Sequence, residues 1–257
     1  MPTFDGVAEH AAEGCLVKPV MLQFFLDSGR PFKFKLHLER SGWRAPDGWF
    51  HASTHPLASE HDLWAYIAHP ELIAEEPRSY EFEVAVLMGT ILHGFYEAAL
   101  NQMGVMVPLP AGLCPSCGRE YLPKGKPQSA RYCLEHGAAD PETRSRCHMD
   151  GILNFDVQGT FGFDLKSIRP YGLKGISDMD AEAFRAKWPK YWAQMQECMR
   201  LSGLRRYIVL FQEWGTPWTM KEFHIEFDPV FAAQTEAKYR RVLATVAAGE
   251  TILDVPA

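Results

Sequence analysis

The chain has 257 residues, of which 47% are hydrophobic, 12% aromatic and 23% charged; that is ample material for a sizeable core and too little charge for extended disorder. A formal net charge of −6 excludes a polycation that coats nucleic acid by bulk charge, so any phosphate contact has to come from local basic patches. No apolar run approaches the roughly 20 residues of a membrane helix, and the N-terminal segment is acidic where a secretory signal would be basic and then apolar, so a cytoplasmic protein with no membrane partner is expected.

The first fifty residues read as an N-terminal extension of unclear role. Within them, residues 32–38 (FKFKLHL) alternate apolar with polar, as a half-buried strand does. The segment WFHASTHP, with Ser53 and His55, has no placed acid partner for Ser/His chemistry and reads as a loop or helix start. Residues 59–73 carry apolar side chains at helical spacing. Residues 80–100 read as a long helix despite Gly89 and Gly94, small residues that mark close packing against a neighbour.

Between about 112 and 146 the composition turns rich in Pro, Gly, Lys, Arg and Cys and poor in branched aliphatics, so this stretch is expected to lack a core of its own. Beyond it, CHMDGILNFDV and TFGFDLKSI flank Gln158 and Gly159 as the two strands of a hairpin. Residues 180–201 are helical, with Pro189 either kinking the helix or starting a second one. Residues 206–212 form a buried strand, 219–227 a partly exposed one, and 231–248 a closing amphipathic helix. The order predicts a mixed α/β domain.

Asp164 and Lys166 lie two apart on one strand and project from the same face. Pairing about Gln158 and Gly159 sets residues summing to about 317 opposite each other. Asp164 then faces Leu153, and Asp150 reaches the same face only with some twist or a bulge. Two carboxylates beside a lysine suit a hard divalent cation and an attacking water. The bland alternative is a turn aspartate and an ordinary surface ion pair. The apolar setting of Phe161, Phe163, Leu165 and Ile168 weighs against it, because charges there are costly unless paired or metal-bound.

The runs Met88–His93 (MGTILH), His148–Gly151 (HMDG), Phe163–Lys166 (FDLK) and Tyr191–Gln194 (YWAQ) resemble, in order and spacing, the RecB-type branch of the PD-(D/E)XK nucleases. The resemblance covers about residues 85–213. It implies a restriction-endonuclease-like core, a mixed central sheet flanked by helices, spanning 51–257 and interrupted by an insertion at 112–147. It further implies that His93, Asp150 and Asp164 are ligands of Mg²⁺ or Mn²⁺, joined by the Leu165 carbonyl. Lys166 becomes the catalytic base or water-positioning residue. Gln194 becomes the glutamine of the family's Q-x-x-x-Y motif, beside the site or the DNA. The sequence departs from that motif at Cys198, where the family has tyrosine; Tyr191 on the same helix is the candidate substitute.

Cys114, Cys117, Cys133 and His136 form a C-x₂-C-x₁₅-C-x₂-H array, both halves ending in glycine. Two such knuckles supply the four ligands of a tetrahedral Zn²⁺ site, structural because every position is filled by protein. Cys147 is a rival to His136 as the fourth ligand. Six cysteines in the whole chain are too sparse for a disulfide scaffold. The iron–sulfur arrangement of some RecB-type nucleases needs cysteines after the catalytic core, and none follows Cys198. Lys124, Lys126, Arg131, Arg144 and Arg146 make the insertion basic enough to contact a phosphate backbone, with a solvated surface as the alternative. Arg169, Lys174, Lys187, Lys190, Arg205 and Arg206 are further phosphate-contact candidates. Trp188, Tyr191 and Trp192 could stack on bases or fill the core.

The expected function is that of a DNA exonuclease in recombination, repair or phage DNA metabolism, acting in a bacterial or phage-infected cell, with DNA and a recombination or replication protein as partners. The alternative is a non-catalytic, zinc-containing DNA-binding module on a degenerate nuclease fold.

Overall fold

The computed structural model describes residues 14–27, 32, 45–74, 79–107, 132–133, 137–214 and 219–253. In chain order the elements are α1 (Val17–Leu26), β1 (Phe50–His51), α2 (Glu60–Ala68), a 3-10 turn (Pro70–Leu72), α3 (Tyr80–Gln102), β2 (Tyr132–Cys133), β3 (Gly137–Asp140), β4 (Ser145–Cys147), β5 (Gly151–Phe155), β6 (Gly159–Ile168), α4 (Ala181–Lys187), α5 (Pro189–Ser202), β7 (Arg206–Glu213), β8 (Met220–Glu226) and α6 (Pro229–Ala247). The helices begin where the chain offers caps. Ser59, Ser79, Asp180 and Asp228 each accept a hydrogen bond from a backbone N–H of the first turn, satisfying donors that a helix start leaves open. Pro189 starts a second helix rather than kinking one, since its missing N–H and fixed φ suit the first helical position.

The described strands form two four-stranded sheets, ordered β1-β4-β3-β2 and β5-β6-β7-β8. In the second, β5 pairs antiparallel with β6, β6 parallel with β7, and β7 antiparallel with β8. A parallel pair needs a crossover, and α4 and α5 provide it. Apolar side chains from the two faces of this sheet enter different cores. Phe161, Phe163 and Leu165 pack with Val17, Met21, Tyr96 and Leu100 of α1 and α3. Tyr207, Val209 and Phe211 pack with Phe184, Ala193, Met195 and Cys198 of α4 and α5. The sheet is thus a middle layer between helices, a mixed α/β architecture. A third cluster of Phe50, Leu63, Tyr239 and Val242 joins β1, α2 and α6. No described helix is long and apolar enough to cross a membrane.

Several expectations change. The β5–β6 pairs run from Gly151 opposite Phe163 to Phe155 opposite Gly159, so partners sum to 314 rather than 317. The turn is the three residues 156–158, and Gly159 closes it at φ 85°, a conformation suited to a three-residue hairpin loop. The helix expected over 59–73 ends at Ala68, short of Pro70, and the 3-10 turn Pro70–Leu72 follows. The WFHASTHP segment, read as a loop, contributes β1, which pairs parallel with β4. Residues 137–147, read as the end of a core-poor stretch, form β3 and β4 and bury Ala138 and Cys147 in the core against α5. Arg200 of α5 secures them: its guanidinium grips Glu197 at 2.8 and 2.9 Å and donates to the Ser145 hydroxyl at 2.6 Å. The strand expected over 32–38 lies, after Phe32, outside the described residues.

Candidate active site

The site forms at the start of β5, before which an edge of β6 is left open. Asp150 immediately precedes β5, and its N–H donates to the Phe163 carbonyl at 3.0 Å. Asp150 lies one residue before the last ladder pair, Gly151 opposite Phe163, at a bend in the chain. Its N–H also reaches Asp164 Oδ1 at 3.2 Å, so the local irregularity expected from the sequence is what brings the two aspartates together. Asp150 Oδ2 accepts the Leu165 N–H at 2.7 Å. Since N–H and C=O of one strand residue point to the same side, the Leu165 carbonyl faces this open edge too. His93 arrives from α3 on the far face of the sheet, its Nδ1 3.2 Å from Asp150 Oδ1. Gly89, one turn before His93, lets α3 approach: a Cβ there would lie 3.2 Å from the Ser167 hydroxyl.

Asp164 is 1% exposed and carries four donors. Its Oδ1 accepts from the Tyr207 hydroxyl at 2.9 Å and the Asp150 N–H at 3.2 Å. Its Oδ2 accepts from Lys166 Nζ at 2.8 Å and Gln194 Nε2 at 3.1 Å. These fill the roughly four acceptor positions of a carboxylate. Burial pushes the Asp164 carboxyl above its ordinary value; the Lys166 charge opposes this and the Asp150 charge adds to it. Burial would raise Asp150 as well, but hydrogen bonding and charge from His93, with Lys166 and the Leu165 N–H, outweigh it and hold the group below its ordinary value. For His93 and Lys166 burial works against the charged form, and the facing carboxylates more than compensate, so both are raised. The result is two acids of unequal character, Asp150 beside His93 and Asp164 beside Lys166.

The structure therefore brings together His93, Asp150, Asp164, Leu165, Lys166 and Gln194. Tyr191 is partly exposed with its ring centroid 5.2 Å from Lys166 Nζ, and Arg169 lies exposed just beyond the end of β6. Trp188 and Trp192 are spent on packing: Trp188 stacks on Phe211 at 4.3 Å, and Trp192 is 8% exposed beside Phe231. Arg206 donates to the Gln158 carbonyl at the hairpin turn, and the Arg205 guanidinium lies 4.7 Å from the Phe227 ring. Both sit toward the opposite end of the sheet from Lys166. Lys187 donates to the Gly172 carbonyl at 2.7 Å; Lys174 and Lys190 are exposed.

Cys114, Cys117, His136, Lys124, Lys126 and Arg131 lie outside the described residues, and Cys133 is described only as backbone of β2. Cys147 is buried, 2% exposed, with its thiol 4.0 Å from the Cys198 carbonyl. Among the described residues no group of three or more His, Cys, Asp or Glu is already arranged around one ion position. The reason is visible at Asp164, whose oxygens all face protein donors.

Two residues near the site escaped sequence reasoning. Tyr207 was read only as part of a buried strand; its contact with Asp164 depends on the parallel register that pairs it with Gly162. Glu97 follows His93 by one helical turn, a spacing that was legible, and burial with the Asp150 charge raises its carboxyl. Cys198, at the position where tyrosine was expected, directs its thiol to the His148 carbonyl at 3.9 Å instead.

Neither a protein-family model nor a curated protein sequence matches the chain. Among solved structures, the crystal structure of an alkaline exonuclease, LHK-Exo, from Laribacter hongkongensis is similar at a TM-score of 0.48 and 18% identity, covering 80% of this chain and 91% of that one. LHK-Exo in complex with dAMP is similar at a TM-score of 0.45 and 16% identity, covering 79% and 89%. The crystal structure of SSO0001 is similar at a TM-score of 0.36 and 13% identity, covering 91% and 84%.

Proposed function

We propose that the protein is a divalent-metal-dependent DNA nuclease of exonuclease type on a restriction-endonuclease-like core, serving recombination, repair or phage DNA metabolism. The observation that carries this is Asp150 brought against Asp164 at an open strand edge, its N–H on Asp164 Oδ1, with His93 on Asp150 and with Lys166 and Gln194 on Asp164. His93 Nδ1 and Asp150 Oδ1 are 3.2 Å apart. Two adjacent ligands of an octahedral ion with bonds of about 2.1 Å are separated by about 3.0 Å, so this pair fits neighbouring coordination positions. Two carboxylates, an imidazole and the Leu165 carbonyl make an oxygen-rich donor set suited to Mg²⁺ or Mn²⁺. For Asp164 to contribute an oxygen, one of its four donors has to leave. Lys166, on a long flexible chain and 17% exposed, is the one free to do so.

When bound, such a cation lowers the pKa of a coordinated water and offsets charge developing on the phosphodiester. The protein's own groups do the rest. Lys166, as an ammonium, donates hydrogen bonds and so orients the attacking water or a phosphate oxygen. Gln194 and Tyr207 hold the Asp164 carboxylate in one plane. Tyr191 and Arg169 flank Lys166 as contacts for the DNA strand. A structural Zn²⁺ at Cys114, Cys117, Cys133 and His136 is part of the same proposal.

Purified protein with Mg²⁺ or Mn²⁺ is expected to degrade linear DNA and spare closed circles. Asp164→Asn and Lys166→Ala are each expected to lose about 100-fold or more of that activity, as when a group that stabilises charge in a transition state is removed. Undiminished cleavage by both variants overturns the assignment. Cleavage of closed circular DNA by the wild-type protein replaces exonuclease with endonuclease.

A further inference from the structure

Asp164 cannot orient itself. It is almost fully buried, and a carboxylate rotates about its last bond unless donors on both oxygens hold it. Gln194 and Lys166 bind Oδ2; on Oδ1 the only side-chain donor among the described residues is Tyr207. Tyr207 sits on β7 with no exposed surface, and its partner across the parallel ladder is Gly162 of β6, not Asp164. To reach Asp164 the ring has to lie along β6 directly over Gly162. A Cβ at Gly162 would come within 2.4 Å of Tyr207 Cε2 and 2.5 Å of Cδ2, distances that real side chains do not tolerate. Glycine inside a strand weakens it and often marks a close approach, and here the approaching group is the ring that carries the hydroxyl.

We infer that Tyr207 is a positioning residue for the Asp164 carboxylate, and that Gly162 is the opening in β6 through which its hydroxyl reaches Oδ1. The inference rests on the nuclease reading of the site and adds to it a residue from β7, the strand on the other side of β6 from the open edge. Burial and the nearby carboxylate raise the phenol well above its ordinary pKa. Without it Oδ1 keeps one N–H at 3.2 Å, and the carboxylate is free to turn its oxygens away from the edge where Asp150 and His93 wait.

The test compares the full-length wild-type protein with Tyr207→Phe, Gly162→Ala, the double variant and, as a control, Tyr239→Phe. Tyr239 is equally buried, but its hydroxyl has no hydrogen-bond partner among the described residues, and it lies in a different core cluster. Affinity for Mn²⁺ alone is read from the free-ion signal in electron paramagnetic resonance, and kcat and KM are read on linear DNA with Mg²⁺. Tyr207→Phe keeps the ring and the packing. It is expected to lose about 10- to 100-fold in Mn²⁺ affinity or kcat, the usual effect of removing a partner that orients a metal ligand, with KM and melting temperature near wild type. Gly162→Ala should shift the same quantities in the same direction and add little to Tyr207→Phe, because both act through one hydrogen bond. Tyr239→Phe should match wild type. Unchanged Mn²⁺ affinity and kcat in Tyr207→Phe, with an active wild type, overturn this inference and leave the nuclease reading standing. A wild-type protein that binds no Mn²⁺ and cleaves no DNA overturns both.

Discussion

His55 shows how much one buried side chain can couple to pH. It lies between the Phe50 and Tyr66 rings, at 5.8 and 4.4 Å between centroids, and its Nδ1 accepts the His51 N–H at 2.7 Å. That bond requires Nδ1 to be unprotonated. Burial, with the nearby His51 charge, pulls the pKa down from 6.5 to about 4. Above pH 6.5 folded and unfolded forms are both neutral and nothing depends on pH. As pH falls from 6.5 toward 4, the unfolded chain takes up a proton that the folded one refuses, so stability declines. The full loss is about 3 kcal/mol, taking 1.36 kcal/mol per pKa unit. Urea unfolding at pH 7, 6 and 5 should show this decline, and His55→Asn, which keeps an acceptor near Nδ1 but does not titrate, should flatten it. An equal slope in the variant would assign the loss to carboxylates instead. At this scale the sequence was readable for Asp164 and Lys166, because a two-residue period assigns their common face. It was not readable for Tyr207, because a phenol that crosses a neighbouring strand leaves no periodic trace.

Among the elements, α1 depends on a residue far away in the chain. Its N-cap position is Leu16, which offers no side-chain cap. Glu222 of β8 supplies one: Oε1 accepts the Leu16 N–H at 2.7 Å, and Oε2 accepts those of Val17 and Lys18 at 3.0 and 2.9 Å. A carboxylate on three N–H groups at a helix start is favoured by hydrogen bonding and by the helix dipole together. His224 approaches Oε1 at 2.7 Å, and Lys18 reaches on to Asp178 at 2.9 Å, tying α1 to the loop before α4. Removing the carboxylate leaves buried donors unpaired, so Glu222→Ala is expected to cost about 3–5 kcal/mol. Chemical denaturation measures the total, and limited proteolysis should show cleavage near α1 before the rest of the chain. A loss under about 1 kcal/mol would mean that α1 is held by its apolar contacts alone. The residues around α1 were the least interpretable stretch of the sequence for this same reason: the cap that makes them helical lies on another strand. Pro189, by contrast, announced its helix start locally.

For the molecule as a whole, the proposed metal site predicts a linkage between ion binding and folding. An ion that binds only the folded form at 100 times its Kd adds about 2.7 kcal/mol. For a chain of this size that corresponds to a rise of roughly 5–10 °C in melting temperature. Melting in Mn²⁺ against excess EDTA should show the shift in the wild-type protein and not in Asp150→Ala. An equal shift in the variant would place the responsive ion elsewhere. Asp150 is the informative choice because its place follows from the hairpin: a turn ending at Gly159, rather than centred on Gln158 and Gly159, moves every pairing by three and brings Asp150, one residue before the Gly151–Phe163 pair, against Asp164.

The sequence by itself determined the chemistry available: which strand carries the acid and the lysine, which helix carries the histidine, where α5 begins, and that the whole is a mixed α/β chain. Each of these follows from local rules, namely the two-residue alternation of a strand, the helical repeat, and the fixed φ of proline. Only the tertiary structure decided which groups meet. It placed Asp150 directly against Asp164, put the Tyr207 hydroxyl on the same carboxylate across Gly162, and turned Cys147 into the core. Those outcomes depend on strand register and on close approach between elements far apart in the chain, and neither is encoded in any short stretch of residues.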